Sequence, residues 1–384
     1  MSGLARLALP FGCAAALAAC GGSPSSTATA PPDAGPEAGV SPPTFWTGRP
    51  PVTSLGLDAV WGSGGDLYAV GQGGVIVHSA DDGETWSVSL PGDSKALFYP
   101  FFGTVWGSSA ADVYVGGADR GEQPLVVHSA DHGRTWQTLD AALPGVPIKI
   151  WGSGPQDVYV AVDPGGVVHS TDGGRTWQTV YGGPSTGGTS VWGSAGNDVY
   201  AVGLTPTSAP APDGGADAAA DASADDGGAP DGGGAAIGFF VHSTDGGRTW
   251  APIAAPPFGP LYDVSGTPDG RHVVACGPNL TQVMTTDHGQ TWSVSAAPDV
   301  SFDLYRIWCP PDGEDCFIVS DEGLLSHLRV DPLGGTVAVT VEHLPPIVVQ
   351  GSGEEVVAPR AIWGTSIHDV WAVSAMGAIW HGGP

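Results

Sequence analysis

Val60-Trp61-Gly62-Ser63, then Asp66-Leu67-Tyr68-Ala69-Val70-Gly71, then Gly74-Val75-Ile76-Val77-His78-Ser79, then Asp81-Asp82-Gly83-Glu84-Thr85-Trp86: the order of this stretch comes back along the chain, and that decides the fold. It returns from Val105-Trp106-Gly107, from Ile150-Trp151-Gly152 and from Val191-Trp192-Gly193. It returns in altered form from Val264-Ser265-Gly266 and Ile307-Trp308-Cys309, and again from Ile362-Trp363-Gly364, which makes seven starts. Trp61, Trp106 and Trp151 are 45 residues apart and Trp192 follows 41 later. Each unit holds four short β-rich runs separated by turn residues, and no segment shows a 3.6-residue apolar period. Four strands in about 40–50 residues make a propeller blade. The expectation is an all-β, seven-bladed β-propeller of four-stranded antiparallel blades over residues 44–384. Apolar Val, Ile and Trp positions would form the core between blades, since a blade cannot bury both faces alone.

The ends of the repeat predict how the ring closes. The seventh unit has Ala361–Trp363, Asp369–Val373 and Ala378–His381, and then the sequence ends without an outer strand. Thr44-Phe45-Trp46-Thr47 either supplies that strand, latching the ring, or belongs to a tether. The latch is preferred because a closed sheet leaves no edge to protect. The fourth unit is interrupted at residues 204–236 by a Pro/Ala/Asp/Gly stretch containing Asp213, Asp217, Asp221, Asp225, Asp226 and Asp231, which reads as a disordered loop. Its Asp spacing has no calcium-loop register.

Five hairpins share Ser/Thr-x-Asp-x-Gly-x-Thr-Trp. Their carboxylates are Asp81, Asp131, Asp172, Asp245 and Asp287. The chemistry is that of a tight turn: Asp accepts from turn N–H groups, Gly permits positive φ, and the hydroxyls satisfy the remaining backbone. The Trp is expected to pack the hairpin onto its own blade. A set repeated around a ring cannot converge on one site, so these acids are structural. This motif resembles the Asp-box (BNR) repeat family across residues 44–384. That family's propellers include sialidases, xyloglucan-cleaving hydrolases, sortilin-type receptors and the photosystem II assembly factor group. The Trp-Gly-Ser half of the unit looks most like bacterial lipoproteins of this type.

The resemblance implies a catalytic set that can be looked for. Sialidases of the family use an Arg triad, a Tyr/Glu pair and an Asp, and begin with Phe/Tyr-Arg-Ile-Pro. Here Thr47-Gly48-Arg49-Pro50 lacks the aromatic and the Ile. Arg134, Arg175 and Arg248 lie inside motif turns. Arg49, Arg120, Arg271, Arg306, Arg329 and Arg360 have no motif context for a triad. The xyloglucan hydrolases are usually double propellers with an Asp pair, and this chain has one propeller. No catalytic residue is assigned. The reading is a binding or scaffold module for a protein or glycan. The alternative is a glycoside hydrolase, sialidase-like or glucan-cleaving, with an unrecognised site.

His78, His128, His169, His242, His327 and His381 end the third strand of six units, with Met284 at the remaining place. They lie on separate blades, too far apart for a shared metal, and are expected to pack between blades. No metal and no cofactor are expected. Propellers bind at one end of the channel, near the starts of the inner strands. Those segments carry Phe98, Tyr99, Phe101, Phe102, Lys149, Phe258, Tyr262, Asp263, Phe302, Tyr305, Arg306 and Arg360. The candidate face is Lys149, Tyr262, Asp263, Tyr305, Arg306 and Arg360, aromatics with a few charges.

Residues 1–19 read as a secretory leader with one basic residue and a short apolar stretch. Leu17-Ala18-Ala19-Cys20 resembles a lipobox, which implies cleavage before Cys20 and acylation of its thiol. Residues 20–43 then form a flexible tether. The protein is expected in the cell envelope, on the outer membrane rather than the inner, held by its lipid alone and monomeric. The formal charge is −27, from 39 acidic and 12 basic residues, which excludes nucleic acid and electrostatic adhesion to anionic lipid. Cys309 and Cys316 flank a Pro-Pro-Asp-Gly turn and can form a disulfide in an oxidising compartment. Cys276 is then a buried small hydrophobe.

Overall fold

The computed structural model describes residues 45–49, 51–89, 101–119, 121–139, 141–206, 236–296, 303–311, 315–320, 325–330, 337–342, 344, 347–349, 353–355 and 357–383. The leader, Cys20, the tether, Phe98, Tyr99 and Phe302 lie outside the described residues.

Seven four-stranded antiparallel sheets follow one another along the chain. In blade one the inner strand Leu57–Ser63 is followed outward by Asp66–Gly71, Ile76–Ser79 and Ser87–Ser89. The later inner strands begin at Phe101, Val146, Gly187, Asp263, Leu304 and Pro359. Among the described residues the helical content is one 3-10 turn, Gln72–Gly74. A small hairpin, Ile347–Val349 with Gly353–Glu355, sits between blades six and seven and carries no repeat signal.

The latch is present. Phe45–Arg49 is the outer strand of blade seven, paired from Phe45↔Gly383 to Arg49↔Ile379. Arg49 lies 5.8 Å from the Trp371 ring centroid and 3.6 Å from Glu84 of blade one, so the latch also touches the neighbouring blade.

In blade four the second strand continues to Pro206 and the third resumes at Ala236, so residues 204–206 and 236, expected in the loop, are ladder. Thr205 pairs with Ile237, two good strand formers, and this extends the hairpin. Residues 207–235 of the insertion lie outside the described residues.

The core sits between blades. Every residue of Asp66–Gly71 is buried. One cluster joins Leu57, Val75 and Val77 of blade one to Trp371, Val373 and Ile379 of blade seven; another joins Tyr68 and Val70 to Phe102 and Val115 of blade two.

The motif hairpins have the expected internal bonding. In blade three, Ser170 Oγ accepts from Gly174 N–H at 2.8 Å, and Asp172 accepts from Thr176 N–H at 2.9 Å and from its hydroxyl at 2.7 Å. The Trp does not pack as expected. It crosses to the preceding blade: Trp86 meets Trp371 edge-on at 6.1 Å, Trp136 meets Tyr68 at 6.3 Å, and Trp292 meets Tyr200 at 6.1 Å.

The His residues pair within their own blades, on the face turned to the next one: Tyr68, on which His78 stacks, also meets Trp136 of blade two, and His132 of that blade's motif turn lies 3.4 Å from Asp66. His169 stacks on Tyr159 at 3.8 Å, and its Nε2 is 2.7 Å from Asp157. His78, His128, His242 and His381 repeat this with Asp66, Asp112, Asp198 and Asp369. In these five blades the Asp that opens the second strand is therefore the imidazole's partner. The aromatic two residues later is the surface it lies on.

Cys309 and Cys316 are bonded, and Cys276 is free and buried.

Candidate binding site at the channel mouth

Six inner strands carry a bulge near their start. The ladder skips one residue between Leu57 and Ala59, Phe102 and Thr104, Pro147 and Lys149, Gly188 and Ser190, Leu304 and Arg306, and Pro359 and Ala361. A bulge re-aims side chains. Two columns of residues result. The skipped residues are Asp58, Gly103, Ile148, Thr189, Tyr305 and Arg360, with Tyr262 at the matching place in blade five. The residues after them are Ala59, Thr104, Lys149, Ser190, Asp263, Arg306 and Ala361. Six of that second column line a cavity of about 50 Å³. Because it is walled by the inner strands of six blades, the cavity lies on the propeller axis.

The candidate residues meet there in pairs. Lys149 Nζ lies 3.2 and 3.3 Å from the two Asp263 oxygens. Asp263 is fully buried and also accepts from Ser190 Oγ at 2.6 Å and Ile307 N–H at 3.0 Å, so one carboxylate ties blades three, four, five and six together. Arg360 donates to Asp58 at 3.1 Å, bridging blades seven and one. Burial raises the Asp58 carboxyl pKa, with Arg360 and then Arg306 acting against it. Tyr262 and Tyr305 stack at 5.3 Å, 17° from parallel. Arg306 donates to the Tyr305 carbonyl at 3.2 Å.

The other residues of these segments divide. Phe101 is exposed, but Phe102 is core, and Phe258 packs on Phe240 at 6.5 Å. Sequence reading missed Asp58, Thr104 and Ser190. Their signal is positional: each stands one or two residues before the apolar residue that opens a repeat. A larger, open depression of about 480 Å³ is lined by Tyr181, Gly182, Gly183, Pro184, Ser185, Thr186 and Thr205. Its lining holds no acid–base group other than the Tyr181 phenol. Among the described residues no group of three or more His, Cys, Asp or Glu is placed to hold a metal.

The described geometry is a closed ring with five identically bonded Asp-box hairpins. The repeat and the fold are those of a BNR-type propeller. Residues 112–227 match the family described as photosynthesis system II assembly factor YCF48. Among solved structures, YCF48 bound to D1 peptide is similar at 16% identity and TM-score 0.60, covering 90% of this chain and 100% of that one. YCF48 from Cyanidioschyzon merolae is similar at 14% identity and TM-score 0.59, covering 88% and 98%. The GH74 xyloglucanase from Xanthomonas campestris is similar at 15% identity and TM-score 0.60, covering 87% of this chain but 53% of that one. No curated protein matches the sequence. At these identities the likeness of this BNR-type propeller to the solved structures is one of fold.

Proposed function

We propose that this propeller is a non-catalytic binding module that receives a protein partner at the end of the channel where Tyr262, Tyr305, Arg306 and Arg360 gather. The observation that carries this is the stacked Tyr262–Tyr305 pair with Arg306 bonded to the Tyr305 carbonyl and Arg360 following in the same column, the aromatic and Arg combination enriched at recognition surfaces. Chain direction places the exposed Leu55, Phe101, Ile237 and Met376 at this same end, since each lies at an inner-strand start or at a turn between second and third strands. The motif hairpins, bonded to the turns after the inner strands, occupy the opposite end. A YCF48 structure holds a D1 peptide, which favours a peptide segment over a glycan as the occupant. A hydrolase reading needs two carboxylates flanking a cleft. Asp58 and Asp263, the acids of the two described columns, each carry a cation instead.

We propose that the protein resides in the cell envelope, a reading that rests on the leader-like residues 1–19 and the lipobox-like Leu17-Ala18-Ala19-Cys20. The Cys309–Cys316 bond supports an oxidising compartment. Labelling with a palmitate analogue in the native host should mark the wild type and leave Cys20→Ser unmarked.

The binding test is a pull-down from native envelope with the wild type and with Tyr262→Ala/Tyr305→Ala/Arg360→Ala. The partner should be lost in the triple variant and retained by Arg134→Ala at the opposite end, with both variants folded by circular dichroism. The same partner recovered by the folded triple variant would overturn the site. Turnover of xyloglucan or sialosides would overturn the non-catalytic reading.

A further inference from the structure

Where the inner strands meet at the axis, backbone N–H groups turn away from their own ladders. Ile150, Val264 and Ile307 stand opposite Val160, Ala275 and Ile318. Their N–H groups donate to the preceding blade, to Thr104 Oγ1 at 3.0 Å, Ser190 Oγ at 3.3 Å and Asp263 at 3.0 Å. Val60, Val105 and Ile362 hold the same register opposite Ala69, Val115 and Ala372. The residues that should receive their N–H groups are Ala361, Ala59 and Arg306, whose side chains carry no acceptor; Val191, opposite Ala201, faces Lys149 in the same way. Buried N–H groups are very rarely left unpaired.

Val60, Val105 and Ile362 line the axial cavity, together with Lys149 and Arg306. The guanidinium brings five N–H donors and the ammonium three; the ammonium bonds both Asp263 oxygens and the guanidinium one carbonyl, that of Tyr305. Asp263 carries bonds on both oxygens; Asp58 is held by Arg360 through Oδ1, and its buried Oδ2 has no partner. Lys149, Arg306 and Arg360 outnumber Asp58 and Asp263 by one charge, in a chain of net −27. A space of about 50 Å³ exceeds the ~10–15 Å³ needed for one water-sized particle.

We propose that a small monovalent anion, of halide or formate size, occupies this cavity and pins blades six, seven, one and two together, as Asp263 pins blades three to six. The anion accepts from Val60, Val105 and Ile362 N–H, to which Ala361, Ala59 and Arg306 offer no acceptor, and from Arg306.

The full chain is crystallised with bromide, and its thermal unfolding is followed in chloride and in gluconate at equal ionic strength. A bromide peak within hydrogen-bonding reach of Val60, Val105 and Ile362 nitrogens is expected. So is a midpoint that rises with chloride logarithmically, as site binding requires, and does not rise with gluconate. Ala59→Ser/Ala361→Ser supplies hydroxyls where Thr104 and Ser190 already have them. It should raise the midpoint in gluconate and remove the chloride dependence. Water alone in the cavity of bromide crystals, or a chloride dependence unchanged in the double variant, would overturn the site.

Discussion

Trp61 of blade one reaches over Gly107 of blade two: a Cβ on that glycine would stand 2.6 Å from the indole Cη2. The relation repeats round the ring. Trp106 covers Gly152, Trp151 covers Gly193, Trp192 covers Gly266, Trp308 covers Gly364 and Trp363 covers Gly62. The glycine of each Trp-Gly is therefore demanded twice, by a carbonyl of its own hairpin, such as Asp157 O at 2.4 Å from a Cβ on Gly152, and by the indole of the previous blade. The seventh contact departs from this. Blade five has Ser265 in the Trp place and blade six has Cys309 in the Gly place, and Cys309 N–H donates to Ser265 Oγ at 3.2 Å. A small Ser leaves room for the Cys309 side chain and its bond to Cys316. The two altered repeats are altered together.

Overpacking this seam should be costly. Gly152→Ala puts a carbon 2.6 Å from Trp106 Cη2 and is expected to cost about 1–3 kcal/mol in urea unfolding. Ser265→Trp alone should cost at least as much, because it meets Cys309. Ser265→Trp with Cys309→Gly and Cys316→Leu restores the residues of blades one and two at this seam and should recover part of the loss. A triple variant no more stable than Ser265→Trp would contradict the pairing of the two places.

Acid should unfold the propeller through its motif turns. Asp81, Asp131, Asp172, Asp245 and Asp287 are held at about 2, chiefly by the hydroxyl and N–H of the Thr four residues on. The folded state thus prefers the ionised form. The stability they contribute is complete above the ordinary value of 3.8 and is lost as pH falls through about 2. Asp112, Asp157 and Asp198 are also lowered; burial opposes this, and the His and Ser hydrogen bonds outweigh it. Thermal midpoints should be nearly level from neutrality to about pH 4 as far as these groups are concerned, then fall steeply toward pH 2. Asp81→Asn/Asp172→Asn should start lower and fall less.

The imidazole and its carboxylate act as a unit. His169→Ala removes the ring on Tyr159 and leaves Asp157 with Ser153 alone, which should cost about 1–3 kcal/mol. Blade five lacks the unit: Met284 pairs with Val274, and His272 stands where Asp66 stands in blade one. Met284→His should therefore destabilise rather than restore, because it sets an imidazole beside another imidazole. Chemical denaturation of the two variants checks both signs.

Removing the latch should open the ring. A chain beginning at residue 51 lacks Phe45–Arg49 and exposes the edge of Ile379–Gly383. Its melting midpoint should fall and its tendency to associate rise on gel filtration. A synthetic peptide of residues 44–49 added in excess should restore part of the midpoint. Identical melting of the full and shortened chains would show that the latch contributes nothing.

The disulfide closes a short loop, with a sequence separation of 7. Loop entropy of that size corresponds to about 2 kcal/mol. Reduction, or Cys316→Ala with Cys309→Ala, should lower the unfolding free energy by about that amount without changing the blade count seen by scattering.

The sequence by itself determined what is local. Blade number, the four strands of each unit and the turn chemistry of Ser170, Asp172 and Thr176 were legible because strand alternation and turn preferences act over a few residues. The latch was legible because the seventh unit lacks its outer strand and Phe45–Arg49 has no other unit to join. Tertiary structure alone decided what lies between blades. The motif Trp could not be assigned to its neighbour's aromatic from one repeat, and neither could Gly107 to Trp61. At the axis the separation is greater still: Lys149 reaches Asp263 across 114 residues, and Arg360 reaches Asp58 across 302. Such contacts depend on the angle at which seven sheets close. A bulge then turns two columns of side chains inward, and which charges meet follows from that closure rather than from any spacing in the chain.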